Sequence, residues 1–428
     1  MDELTISSTA IYGGNLARTF EYRTTGVHAT PHLHWSFSLQ EGVTVSCPVL
    51  VAEGVVYVGD SAGFFSAIDA RSGDLLWCFA TDWVQDGGEP VGADASTGVT
   101  AFCLAGRVGY VASACQTLYE VDLSNGQVIR SWNREALEED PYEGSSDETV
   151  KYSDDIIVSL LFYGQLVLIN YLEEDGGRRI SCFDPATGNT VTDIYPSGLF
   201  GEELPFMPVT YSHPQGDFDV IYFSQMVEDN SGSFVFYAIN LSEIATGTYV
   251  ADSTLWSMGE DYKEYAEGLF TILDDTLYTV GTHCDANGEW QPAELLALDP
   301  FTGAVQWRYA SSWDEHTWGE DRFQLAAASH LIFLVTYKGV EAVDAHTQQQ
   351  RWKWTSNRAG TVTDERHVLI ADGLLFMLDK AGQITVLDAL TGEPRWNLQT
   401  EQPITGPFST IADATLYVVM GHTLCAFR

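Results

Sequence analysis

Basic residues are scarce in this chain. Across 428 residues, 60 Asp and Glu stand against 20 Lys and Arg, five of them Lys, and the formal net charge is −40. A polyanion of this strength repels phosphate backbones, which excludes sequence-independent nucleic-acid binding, and it disfavours anionic membrane surfaces. Self-repulsion points to a monomer. Long apolar runs are also missing. None approaches 18 residues, so neither a transmembrane helix nor membrane insertion is expected. The opening MDELTISSTAIYGG has no basic stretch followed by an apolar one, so no signal peptide is expected. That leaves the cytoplasm for the chain as it stands, or the periplasm or exterior if a leader was trimmed. The seven cysteines (Cys47, Cys78, Cys103, Cys115, Cys182, Cys284, Cys425) include no adjacent pair and no C-x-x-C. Most sit in apolar strand-like runs, which favours buried free thiols over disulfides. No H-E-x-x-H or P-loop pattern occurs.

Hydrophobic residues make up 45% and aromatics 12%, enough for a large core, so disorder is not expected. The acidic excess suits either a high-salt environment, where carboxylates stay hydrated and repulsion is screened, or an ordinary acidic soluble protein.

One phrase recurs: an alternating apolar strand, Asp, a Gly a few residues on, a short strand and often Trp. It reads AIDARSGDLLWCF at 67–79, ALDPFTGAVQWRY at 297–309 and VLDALTGEPRWNL at 386–398. AVDAHTQQQRW keeps the Asp344-to-Trp352 offset with Gln348 in place of Gly, and weaker copies surround Asp122, Asp184 and Asn240. The Asp side chain hydrogen-bonds its own turn, Gly supplies a positive φ, and Trp packs on the neighbouring unit. Successive Asp/Asn markers lie 53, 62, 56, 59, 45 and 44 residues apart, which are propeller-blade lengths with insertions. Seven markers indicate seven complete blades. An eighth is split, with three strands in PITGPFSTIADATLYVVMGHTLCAFR and the fourth in HLHWSFSLQ at 32–40. The fold class is therefore all-β: an eight-bladed β-propeller of four-stranded antiparallel blades, closed by an N-terminal strand in the last blade, with seven blades as the alternative. Residues 1–30 read as an N-terminal extension and 31–428 as one propeller domain.

These D-x-x-T/S-G-x-x-x-W units, with the G-G-N-x-x-R-T lead-in inside YGGNLARTFEYRTTG, resemble the PQQ-repeat, quinoprotein-dehydrogenase-like β-propellers over residues 12–428. The resemblance implies shape more than chemistry. Family quinoenzymes use adjacent cysteines, a Trp floor under the quinone and a Ca²⁺ held by carboxylates and amides. This chain has no Cys–Cys pair, so PQQ is not expected. The family also includes an outer-membrane assembly propeller lipoprotein, a precedent for scaffolding.

In blades with strands A to D, the D–A and B–C links open on one face and the A–B and C–D links on the other. The long segments fall on the first: 81–98, 133–155, 195–208 and 311–323 among D–A links, and 171–179, 225–233 and 281–293 among B–C links. They carry acids and aromatics. The candidate binding residues are Trp83, Asp86, Tyr142, Asp285, Trp290, Trp313, Asp314, His316, Trp318, Glu320, Asp321 and Arg322. Aromatics beside acids suit a cationic or sugar-like ligand or a basic peptide, and exposed aromatics disfavour solubility unless used. The run SSWDEHTWGEDRF equally suits a lid. Asp285, Asn287 and Glu289 alternate as in a Ca²⁺ loop but lack its full frame, so Ca²⁺ stands only as a possibility beside plain hairpin tips. His32 and His34 could present two imidazoles to a metal, or form an exposed pair on a blade edge. No metal site or other cofactor is expected. The leading expectation is a non-catalytic binding or scaffolding propeller for a protein, peptide or extended ligand. The alternative is an enzyme (a lyase, cyclase or hydrolase, with or without a divalent metal) working at the channel mouth of the same face.

Overall fold

The computed structural model describes residues 14–15, 20–82, 98–133, 156–172, 178–194, 209–212, 219–226, 234–241, 254–258, 270–281, 293–313, 324–336, 338–356, 366–406 and 408–428. Eight antiparallel sheets follow one another around a ring. Seven are continuous in sequence and are numbered in chain order: blade 1 (50–80), blade 2 (99–132), blade 3 (156–194), blade 4 (209–258), blade 5 (270–310), blade 6 (324–355) and blade 7 (366–399). The eighth joins Thr410–Ala412, Thr415–Met420 and Thr423–Phe427 to Leu33–Ser38, so both ends of the chain share one blade as expected. His32 and Arg428 exchange backbone hydrogen bonds at 3.0 and 3.1 Å where the ends meet. The core is distributed. Each of the eight interfaces between neighbouring blades holds its own apolar cluster.

The repeated phrase builds the joints. In the turns after Asp69, Asp299 and Asp388, Oδ1 accepts N–H bonds from the residues two and three further on. The N–H groups of Ser72 and Thr347 hold Asp69 and Asp344 below the usual carboxylate range. The Gly that closes each turn has a positive φ and lies beneath the Trp of the preceding blade. A Cβ on Gly303 or Gly392 would sit 2.6 Å from Trp256 or Trp352. The indole N–H then donates to the carbonyl just after the turn Asp/Asn or its equivalent: Trp35 to Ala70 (3.0 Å), Trp77 to Leu123 (3.1 Å), Trp256 to Pro300 (2.9 Å) and Trp352 to Ala389 (3.1 Å). Between blades 2 and 3, Arg130 makes this bond instead, to the Pro185 carbonyl. A register shift recurs in the outer-strand pairing of all eight blades, and in six of them it falls immediately before the Trp.

The N-terminal segment does more than precede the propeller. Glu21–Tyr22 pairs in parallel with Ile370–Ala371 on the inner strand of blade 7, making that sheet five-stranded. The inner edge of a blade faces the ring axis, so this segment lies in the central channel, against the inner strands of blades 6 and 7. It leaves at the A–B side, where Asp413 and Ala414 donate backbone N–H bonds to Thr24 Oγ1 and the Thr25 carbonyl. The Val27 carbonyl accepts from Trp396 at 2.7 Å. It thus fills the place of the turn that the split eighth blade lacks. Phe20, Tyr22 and Val27 are all buried in interface clusters.

Candidate functional site

Strand order assigns the faces. The D–A links 81–98, 133–155, 195–208 and 311–323 and the B–C links 173–177, 227–233 and 282–293 open on one side, joined by the further D–A links 259–269 and 356–365. On the other side the A–B links are two residues long in seven blades, and the C–D links span four to six residues except in blade 4. Blade 4 corrects the expectation that every long segment shares one face, because its links 213–218 and 241–253 open on the short-turn side. Its Asp-x-x-Thr-Gly phrase is interrupted in the sequence, AINLSEIATG.

Trp83, Asp86, Tyr142, Asp285, Trp290, Asp314, His316, Trp318, Glu320, Asp321 and Arg322 lie outside the described residues, as do Asn287 and Glu289. Trp313 is described, and it is not an exposed loop aromatic. It is only 5% exposed and packs in the cluster between blades 5 and 6. The Lys353 ammonium lies 3.6 Å from its ring centroid. Lys353 also donates to the Ser312 carbonyl (3.0 Å) and shares a 2.9 Å hydrogen bond with Ser312 Oγ.

Two residues the motifs did not single out explain this. Glu341 is fully buried on the C strand of blade 6. It accepts hydrogen bonds from Tyr309 Oη (2.6 Å), Ser311 Oγ (2.9 Å), the Ser312 N–H (3.1 Å) and Ser312 Oγ (2.7 Å). Burial, then the Glu341 carboxylate, push the Tyr309 hydroxyl pKa up, so it stays a donor. Charge-assisted bonds in a dry site are the strong ones, and together they pin the stem of the 311–323 link to the next blade. The signal in the sequence is a carboxylate inside an apolar strand, VEAVD. The 81–98 link is pinned likewise: the Asp82 N–H donates to Tyr119 Oη (3.0 Å), and Thr117 Oγ1 to Asp82 Oδ2 (2.5 Å).

At the axis, the Phe20 ring meets His367 edge-on at 6.3 Å, and the Phe20 carbonyl accepts the Ile370 N–H at 2.8 Å. Burial pushes the His367 pKa down to about 3. Among the described residues no group of three His, Cys, Asp or Glu is placed to hold a metal ion, and no helix is long and apolar enough to cross a membrane. His32 and His34 flank or lie on the outermost strand of blade 8, and the exposed His34 ring meets the Arg71 carbonyl at 3.0 Å. Of the cysteines, Cys47, Cys103, Cys182 and Cys425 are buried free thiols, Cys115 is intermediate, and Cys78 is exposed.

The family model described as outer membrane protein assembly factor BamB matches residues 26–198 and 245–428. The chain belongs to this family of PQQ-repeat β-propellers. Among curated proteins, the 1-butanol dehydrogenase (cytochrome c) of Thauera butanivorans is 29% identical over 202 residues, 44% of this chain and only 27% of that protein's length. Among solved structures, the quinohemoprotein alcohol dehydrogenase of Comamonas testosteroni aligns with a TM-score of 0.65 at 15% identity, covering 98% of this chain and 80% of the other. BamB of Moraxella catarrhalis aligns at 0.56 and 13%, covering 93% and 99%. These structural likenesses establish the fold.

Proposed function

We propose that this protein is a non-catalytic binding and scaffolding propeller that presents its long-link face to a partner protein or peptide. The observation that carries this reading is the pinned loop stem. Glu341, Lys353 and Trp313 use a buried carboxylate and a cation–π contact to hold the stem of the 311–323 link in place. A rigid scaffold with fixed loop bases is how binding faces are built. The segments beyond those bases bring Trp83, Tyr142, Trp290 and Trp318 among acids, a composition suited to a basic partner surface. Membership of the BamB-described family supports an assembly role.

The likeness to alcohol dehydrogenases favours a second reading, a quinone-dependent enzyme. The described residues do not fit that cofactor. No two cysteines are adjacent in the chain, and Phe20 and Tyr22 occupy the channel beside blade 7. Photo-crosslinking from positions 290 and 318 in cells, with positions 302 and 391 on the short-turn face as controls, tests the binding reading. Crosslinks to a protein concentrated at 290 and 318 support it. Equal crosslinking at all four sites, or a stoichiometric quinone or metal by native mass spectrometry and elemental analysis, overturns it.

A further inference from the structure

The outer strands of the blades are edges, each paired on one side only. Edge strands normally carry charge or proline that discourages further pairing. Those of blades 5 to 7 do: Val305–Ala310 includes Arg308, Gln349–Thr355 includes Arg351 and Lys353, and Pro394–Gln399 opens with Pro394 and Arg395. The outer strand of blade 1 has none of these. Leu75–Ala80 reads LLWCFA, apolar throughout, with Leu75 and Leu76 each half exposed and Cys78 exposed on the same side as Leu76. The outer strands of both neighbouring blades also expose apolar side chains, Leu33 on blade 8 and Val128 and Ile129 on blade 2, all 42% exposed or more. The corresponding positions of blades 6 and 7 are Gln350, Arg351, Pro394 and Arg395.

Charge selects the occupant. Asp74 precedes the strand and Asp82 follows it, in a chain of net charge −40. A second copy pairing on this edge would bring together two bodies of charge −40. Like charges placed opposite one another oppose pairing. A strand with basic ends meets the reverse situation. Blade 7 already accepts a fifth strand on its inner edge, so sheet extension is compatible with this scaffold.

We infer that the outer edge of blade 1 is a docking strand for an extended segment of a partner protein, apolar in its middle and basic at its ends, added as a fifth strand. This surface lies on the circumference of the ring, and the inference stands apart from the long-link face. The probe is a decapeptide of alternating valine and threonine with two lysines at each end, compared with a twin carrying two glutamates at each end. Hydrogen exchange of the full chain is expected to show amides in 75–80 slowing at least tenfold with the lysine peptide. Its affinity is expected to exceed the twin's at least tenfold at low salt and to converge with it in 0.5 M salt. The double substitution Leu76→Lys with Cys78→Lys, and Leu76→Lys alone, are both expected to abolish the protection while leaving the melting transition intact. Unchanged exchange at 75–80, or equal affinity for both peptides, overturns the inference. So does a wild-type dimer, by light scattering, that Leu76→Lys makes monomeric, since a second copy then holds the edge.

Discussion

At the scale of single residues, the turn glycines answer to two constraints together. Gly392 has φ +72°, and a Cβ there would meet the Trp352 ring at 2.6 Å. Gly392→Val is expected to destabilise by about 2–4 kcal/mol, from left-handed backbone strain and the displaced indole, as read by urea unfolding. Gln348 occupies the same place in blade 6 with φ +60°, and among the described residues the Trp307 indole of blade 5 makes no bond like those of Trp35, Trp77, Trp256 and Trp352. Gln348→Gly is therefore expected to stabilise by roughly 0.5 kcal/mol, a positional exception to the rule that glycine weakens structure. Two buried titratable groups act with opposite signs. Burial raises Asp60 from 3.8 to about 6, so between those values the folded state binds more protons and stability falls as pH rises. Asp60→Asn keeps an acceptor for the Ala62 and Phe64 N–H groups and is expected to add roughly 1–3 kcal/mol at pH 8 but little near pH 4. His367, lowered from 6.5 to about 3, binds fewer protons folded than unfolded, so stability falls as pH drops below 6.5. His367→Gln is expected to flatten that acid limb in unfolding titrations from pH 7 to 4. A smaller acid-side loss in the wild type would count against a buried neutral imidazole.

At the scale of elements, the short unit Asp–Gly–strand–Trp is a joint that is repeated and once improvised. Trp396 has no following turn to dock on and takes the Val27 carbonyl instead. Trp396→Phe keeps most of the packing and removes the donor. The expected loss is about 1 kcal/mol, with faster hydrogen exchange and proteolysis confined to residues 20–30. If the whole ring loosened equally, the segment would not be a local clasp. The strands, turns and offsets of these units were legible in the sequence because turn chemistry and alternation are local properties. The 311–323 link was not. Trp313 reads as a loop aromatic in SSWDEHTWGEDRF, and only Lys353 and Glu341, 28 to 40 residues away on the next blade, show its ring covered and its stem pinned.

At the scale of the whole molecule, stability resides in eight separate interfaces, so closing the ring matters more than any one cluster. Removing residues 1–13 is expected to leave one cooperative melting transition. Removing residues 1–38 takes away the outer strand of blade 8, Trp35 and the channel segment, and is expected to abolish that transition and yield aggregating protein with open edges in calorimetry and light scattering. A cooperative transition in the shorter chain would show that closure is dispensable. By itself the sequence determined the all-β class, the eight blades and the split closing blade, because each repeat carries its own turn, offset and apolar alternation, and because a missing strand at one terminus has its complement at the other. Only the tertiary structure decided that Phe20–Tyr22 enters the channel, that Val27 stands in for an absent turn, and that Glu341 serves as an anchor. Those outcomes depend on groups brought together across neighbouring blades, where unpaired backbone edges and buried charge must find partners, and a pairing between distant residues leaves no period in the chain.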